Sequence, residues 1–289
     1  MCRLFGFRSA LESSLQHSLI DADNALLEQS TRHSDGWGVA YYLQNSPHLI
    51  KSTEAAFSDR IFQKVSGVLF SQTVVAHLRL ATIGQKSILN SHPFQFGTWI
   101  FAHNGNIQNF QKYRAPLLER ISENLRCFIL GETDSEIIFF LMLTFLAENK
   151  VDNHNPDFEN MQRAIFDALA FIEDVAGKFS LLDEGPEKTY LTFLLTNGRT
   201  MFAFQGGKKL YYSTYKQKCD SRETCPLYSF SCENQVENDR VRHLLVSSEP
   251  VHSANIWQEL PPGTLIGVSE EMIFSKKKYP VKALQSLEK

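Results

Sequence analysis

The chain has 289 residues, 43% of them hydrophobic and 21% charged, with 22 Phe, which is enough apolar mass for an ordered, unusually aromatic core and too much for a disordered chain. A formal charge of −3 and a pI near 6.3 supply no basic field for a phosphate backbone, so no nucleic-acid partner is expected. The longest apolar run, Ile137 to Leu146 with Thr144 inside it, falls short of the roughly 20 residues of a membrane span, and the start Met1-Cys2-Arg3-Leu4-Phe5-Gly6 lacks the apolar stretch of a secretory signal. The expectation is a cytoplasmic chain, off the membrane, with reduced thiols.

Residues 3 to 8 and 36 to 43 read as strands, and between them Leu15, Leu19, Ala22, Leu26 and Leu27 recur at helical spacing. Further strands are predicted over 73 to 78 and 98 to 102, where β-branched and aromatic residues cluster between turn formers. Thr133-Asp134-Ser135-Glu136 has the form of a capping box, Thr133 accepting from a backbone N–H and Glu136 bonding back to the cap, so a buried helix is expected over 134 to 148. A loop over 149 to 157 leads to a second helix, whose apolar face is Met161, Ile165, Ala168, Leu169 and Ile172 and which ends near Gly177. Short strands follow at 178 to 182, 189 to 196, 200 to 204 and 209 to 213, with Asn197-Gly198 as a hairpin signal. Residues 216 to 240 are polar and hold three cysteines, and read as a surface insertion before a strand at 243 to 247. The pattern predicts one domain over 2 to 289, an α+β layered sandwich with both sheets covered by helices.

Five cysteines is an odd number, which directs attention to a single reactive thiol. Removal of Met1 would leave Cys2 with a thiol and a free α-amine on one residue. An α-amine titrates near 8, so at neutral pH part of it is uncharged and able to take the thiol proton. In His77-Leu78-Arg79-Leu80-Ala81-Thr82 an arginine closes an apolar strand, where its fork can grip a carboxylate. In His103-Asn104-Gly105-Asn106, expected directly after a strand, the Asn104 amide and the Gly105 N–H can point at a developing oxyanion. Asp134 sits at a helix start, fitted either to cap that helix or to hold a substrate ammonium. Arg32-His33-Ser34-Asp35-Gly36-Trp37-Gly38 is turn-like, its glycines letting a backbone pass close to another segment. Cys219, Cys225 and Cys232 are too widely spaced for paired zinc ligands, Cys127 reads as a small core hydrophobe, and Lys208-Lys209 and Lys276 to Lys278 read as solvated surface. Neither a metal nor a cofactor is expected.

Taken in order, these segments resemble the glutaminase domain of class II glutamine amidotransferases, in the N-terminal nucleophile hydrolase superfamily. The likeness rests on Met1 to Gly6, Arg32 to Gly38, His77-x-Arg79-x-Ala81-Thr82, Ser91-His92-Pro93-Phe94, His103-Asn104-Gly105 and Thr133 to Glu136. Trp37 and a late Ser248-Glu249-Pro250, Trp257 and Pro262-Gly263 resemble the smaller, single-domain branch. Two positions depart from the pattern: His33, where many members have glycine, and Leu80, where some carry an aromatic residue.

The resemblance implies a four-layer αββα sandwich, Cys2 as nucleophile, Asn104 and Gly105 as oxyanion hole, Arg79 on the glutamine α-carboxylate and Asp134 on its α-amine. Thr82 and His92 are implied to line the glutamine pocket, and Arg32 to lie near the amino terminus of the nucleophile. The implied reaction is hydrolysis of the glutamine γ-amide through a γ-glutamyl thioester, with ammonia passed to a separate synthase subunit. Hydrolysis of other small γ-glutamyl compounds and a non-catalytic glutamine-sensing module remain as alternatives.

Overall fold

The computed structural model describes residues 2–80, 85–150, 157–185, 187–219, 222–236 and 239–280. In chain order the first half holds β1 (Arg3–Ser14), α1 (Leu26–Gln29), β2 (Trp37–Leu43), β3 (Ser46–Ser52), α2 (Arg60–Val68), β4 (Phe70–Leu78), β5 (Phe94–Phe96) and β6 (Trp99–Asn106). Four helices follow, α3 (Phe110–Arg120), α4 (Glu123–Arg126), α5 (Asp134–Glu148) and α6 (Phe158–Ala176). The rest is strand: β7 (Tyr190–Thr196), β8 (Met201–Gln205), β9 (Tyr211–Ser213), β10 (His243–Ser247), β11 (Gln258–Glu259), β12 (Thr264–Val268) and β13 (Phe274–Lys278). A seven-stranded sheet runs β11-β9-β10-β1-β4-β2-β3 and a six-stranded sheet β13-β12-β8-β7-β6-β5. The strand pairs are antiparallel throughout.

The period-2 pattern of each strand decides the layering. Leu4, Ala40 and Val75 of the first sheet face Ile100, Ala102, Leu194, Ala203 and Ile266 of the second, forming the core between the sheets. The alternate residues Phe5, Phe7, Trp37, Val39, Val74 and Ala76 point outward, against Phe62 of α2 and Leu19 and Leu26 before and in α1. On the far side of the second sheet Phe101, Phe193 and Phe204 pack against α5 and α6, with the Phe101 and Phe139 rings stacked 5.6 Å apart. The result is the four-layer αββα sandwich, and the phenylalanines fill its helix-covered side.

The run over 15 to 27 is not one helix. It is a single π-helical turn at His17–Asp21, a break where Ala22 turns extended, and then the short α1. Leu15, Leu19, Ala22 and Leu26 are buried all the same, so the apolar spacing reports a buried face and not continuous helix. No strand forms over 178 to 182, where the Ser180 hydroxyl donates to the Leu182 carbonyl at 2.7 Å and ties the chain into a local loop. Lys276 to Lys278, read as solvated surface, lie in β13, a strand at the edge of its sheet, where lysines oppose pairing with another chain. The described part of 216 to 240 holds one 3₁₀ turn, Phe230–Cys232, and bridges at Lys216 and Arg240.

Candidate active site

Cys2 lies one residue before the central strand β1, whose partner β4 runs antiparallel with Arg3 opposite Leu78. That register sets the residues leaving β4 beside Cys2: the Leu80 N–H donates to Sγ at 3.4 Å, and Sγ lies 3.4 Å from the Leu80 carbonyl. Burial pushes the thiol pKa up, while the Leu80 contact, the chain terminus, Arg79 and Arg3 pull it down. Arg79, 3% exposed, directs both terminal nitrogens to the Gln85 carbonyl, at 3.2 and 3.3 Å.

The facing sheet contributes β6. The His103-Asn104-Gly105-Asn106 segment lies within that strand, not after it, because it pairs with β7 as far as Asn106 opposite Tyr190. A Cβ on Gly105 would come within 2.1 Å of the Tyr190 carbonyl, so the close approach of β7 requires glycine there. Asn104 is 5% exposed, and among the described residues its carboxamide makes no hydrogen bond. Behind it, His103 Nε2 donates to the Tyr190 carbonyl at 3.0 Å, which leaves Nδ1 to accept from the Ser135 hydroxyl at 2.9 Å.

Thr133 caps α5, its hydroxyl accepting from the Glu136 N–H at 3.3 Å. Only that half of the capping box forms. The Glu136 carboxylate turns instead to the N–H groups of Leu130 and Gly131, at 3.0 and 2.7 Å. Asp134 accepts from the Ile107 N–H at 2.6 Å and the Ser135 N–H at 2.8 Å. Desolvation raises its pKa against those bonds and against His103.

Two cavities meet at Cys2. A small one, about 30 Å³, is lined by Cys2, Arg79, His92, Gly105 and Asp134, together with His103 and Asn90. A larger one, about 770 Å³, is lined by Cys2, Leu80, Asn104 and Gly105, and runs along Asn106 to Lys112 to Tyr190 and Lys208. The structure thus brings Cys2, Arg79, His92, Asn104, Gly105 and Asp134 together from β1, β4, β6, the segment before β5 and the start of α5. Arg32 is not with them: its side chain is 62% exposed and lies 3.7 Å from Glu249, and it lines neither cavity. Thr82 lies outside the described residues. His33, one of the departures from the pattern, is buried and donates from Nδ1 to the Gln29 carbonyl at 2.8 Å.

His103, Asn90 and Lys208 were not singled out from the sequence as part of the site. Asn90 ties two loops over the small cavity, donating to the Gln85 carbonyl at 3.1 Å and accepting from the Glu132 N–H at 2.9 Å. Lys208, read as surface, is 7% exposed and bonds Asp183 at 2.6 Å over the Tyr190 ring. A long aliphatic stem next to Lys209 gave no sign of that burial. No group of three or more His, Cys, Asp or Glu that could hold a metal ion occurs among the described residues, and no helix among them is long and apolar enough to cross a membrane.

The αββα sandwich places Cys2 just ahead of its central strand, in cavities shared with an arginine, a buried aspartate and a carboxamide. The chain belongs to the class II glutamine amidotransferases, whose family model matches residues 1–286. It is 27% identical over 299 residues to "Probable glutamine amidotransferase DUG3" of Saccharomyces cerevisiae, covering 94% of this chain and 83% of that protein. It is also 27% identical over 134 residues to a gamma-glutamyl-hercynylcysteine sulfoxide hydrolase of Mycobacterium tuberculosis, covering 43% of this chain and 57% of that protein. A solved class II glutamine aminotransferase domain protein from Silicibacter pomeroyi shares the fold with a TM-score of 0.60 at 21% identity, covering 96% of this chain and all of that one.

Proposed function

We propose that this chain is a γ-glutamyl amidohydrolase that acts on glutamine through a thioester on Cys2, with Met1 removed. The observation that carries the reading is the single small cavity lined by Cys2, Arg79, His92, Gly105 and Asp134. Arg79 takes the substrate α-carboxylate in place of the Gln85 carbonyl it now holds, and Asp134 takes the α-ammonium. Those two contacts aim the γ-carbonyl at Sγ. The α-amine of Cys2 removes the thiol proton as sulfur attacks, and the oxyanion forms against the Asn104 carboxamide and the Gly105 N–H. The Cys2 α-ammonium then gives that proton to the leaving nitrogen as the Cγ–N bond breaks, ammonia departs, and water attacks the thioester to release glutamate and free the thiol.

A second reading concerns the leaving group. The cavity of about 770 Å³ beyond Asn104 and Gly105 is far larger than ammonia requires, which favours γ-glutamyl amides of larger amines, as the mycobacterial relative's name describes for that protein. Under the first reading the same opening would pass ammonia to a separate synthase subunit. The test is glutamate release from glutamine and from a panel of γ-glutamyl amines, by protein whose N-terminal Cys2 has been verified by intact mass, beside Cys2→Ala. Release that depends on Cys2 supports the hydrolase, and the preferred leaving group decides between the two readings. Glutamine binding without release from any substrate would instead support a sensing module.

A further inference from the structure

The Ser248-Glu249-Pro250 segment has no part in the reaction as written, yet it lies against the start of β1. Phe5 is opposite Ser247, and just beyond that pair the chain stays alongside: the Leu4 N–H donates to the Ser248 hydroxyl at 2.9 Å, and the Ser248 N–H to the Leu4 carbonyl at 3.0 Å. This contact delivers the Glu249 carboxylate to Arg3, where Oε1 accepts from Nη2. The other oxygen, Oε2, takes Asn24 Nδ2 at 3.4 Å and faces Arg32 Nη2 at 3.7 Å. Asn24 is itself tied to the Pro250 carbonyl at 2.7 Å. Arg3 closes the chain of contacts by donating Nη1 to the carbonyl of Cys2 at 3.3 Å.

A residue at the very start of a chain frays unless it is tied down, and a nucleophile works only when its attacking atom is held to within a fraction of an ångström. Cys2 is held on the Sγ side by Leu80. Its main chain is held through Arg3. With Arg3 and Glu249 side chains 17% and 30% exposed, this pair is more sheltered than an ordinary surface ion pair. The Glu249 carboxylate lies against both Arg3 and Arg32, one on each oxygen.

We propose that Glu249 is a positioning residue for the nucleophile, acting through Arg3 to fix the main chain of Cys2, an inference that rests on Cys2 being the attacking group. Glu249→Gln keeps the side chain's shape and removes its charge. It should lower kcat by roughly 10 to 100-fold, as expected for a displacement approaching 1 Å, with KM within about twofold and the melting temperature little changed. Arg3→Gln should reproduce the loss, and it tests the same contact if Glu249→Gln fails to fold. The double variant should lose no more than either single one, because the two residues act as a unit. Arg32→Ala, at the exposed end, should leave kcat near wild type.

The rate of Cys2 alkylation by iodoacetamide, read by peptide mass, needs no turnover, and it should slow in Glu249→Gln and Arg3→Gln. If both variants show wild-type kcat and wild-type alkylation, or lose melting temperature alone, the pair is merely structural and the inference falls. If wild-type protein turns over no γ-glutamyl amide, the functional reading fails while the alkylation rates still decide the positioning role.

Discussion

Asn104→Ala separates catalysis from stability more cleanly than any other change in the site. Asn104 is 5% exposed and lines the larger cavity beside Cys2, yet its carboxamide has no hydrogen bond to lose among the described residues. Truncation therefore removes a polar group that the folded protein does not satisfy, at an edge already open to a cavity, and the melting temperature should stay within a few degrees of wild type. Under the proposed mechanism the transition state loses one of its two oxyanion donors, a cost of about 3 to 4 kcal/mol, or roughly 10² to 10³ in kcat. The assay is glutamate release under saturating substrate, with a melting curve on the same preparation and the Cys2 alkylation rate as a control for the intact nucleophile. A loss below about tenfold, or a loss matched by a collapse of the melting curve, would refute the oxyanion assignment.

Cys2→Ser and Cys2→Ala should abolish thioester formation, which is seen as loss of the covalent γ-glutamyl adduct in mass spectra of acid-quenched protein. Asp134→Asn should raise KM for glutamine by about 10 to 100-fold, the worth of a charge-assisted hydrogen bond; a substrate lacking the α-amine should be handled equally by variant and wild type, and an equal loss on both would count against the ammonium role. Burial holds His77 near 3 and His243 near 4 and lowers His92 and His103, against an ordinary 6.5. As pH falls the unfolded chain takes up these protons first, so the stability from their neutral burial is complete above about 6.5 and is lost below it, by up to about 1.4 kcal/mol per pH unit per histidine. Urea unfolding at neutral and mildly acidic pH measures this, and a flat profile would contradict it. Gly38→Ala would place a Cβ 2.2 Å from the His92 carbonyl, so it should destabilise the fold and disturb His92, which lines the small cavity; wild-type melting and activity would show that the two segments can separate freely.

The elements legible in the sequence are those that bury a continuous apolar run. α5 is buried on every face through residue 146 and begins at a threonine cap, and β10 is a run of five residues with four buried. α3 gave no such signal: it carries Pro116 and charged residues, and of its eleven residues only Phe110 and Leu117 are buried. Edge strands β3 and β13 alternate with polar residues because one side of each faces solvent. Arg79 stood out as a charge closing an apolar strand and Asp134 as an acid at a helix start, and the structure places both on the small cavity. His103 and Lys208 did not stand out, since their roles depend on contacts with Ser135, Tyr190 and Asp183 that lie 18 to 87 residues away and leave no local pattern.

The charge pattern of the small cavity argues for the class of ligand more strongly than any one residue does. Asp134 is 2% exposed, and it accepts from the backbone N–H groups of Ile107 and Ser135, with no Lys or Arg bonded to it among the described residues. A carboxylate so placed carries a desolvation cost, which is why its pKa stands above the ordinary value. Arg79, across the same cavity, has both terminal nitrogens on a neutral carbonyl, a weaker partner than a carboxylate. On the proposed function one molecule complements both groups: an α-amino acid, whose ammonium and carboxylate sit on a single carbon. An anion alone would complement only Arg79, and a simple amine only Asp134. On the proposed function the small cavity holds the zwitterionic end of a γ-glutamyl compound, and the group beyond the γ-carbonyl occupies the larger opening past Asn104 and Gly105.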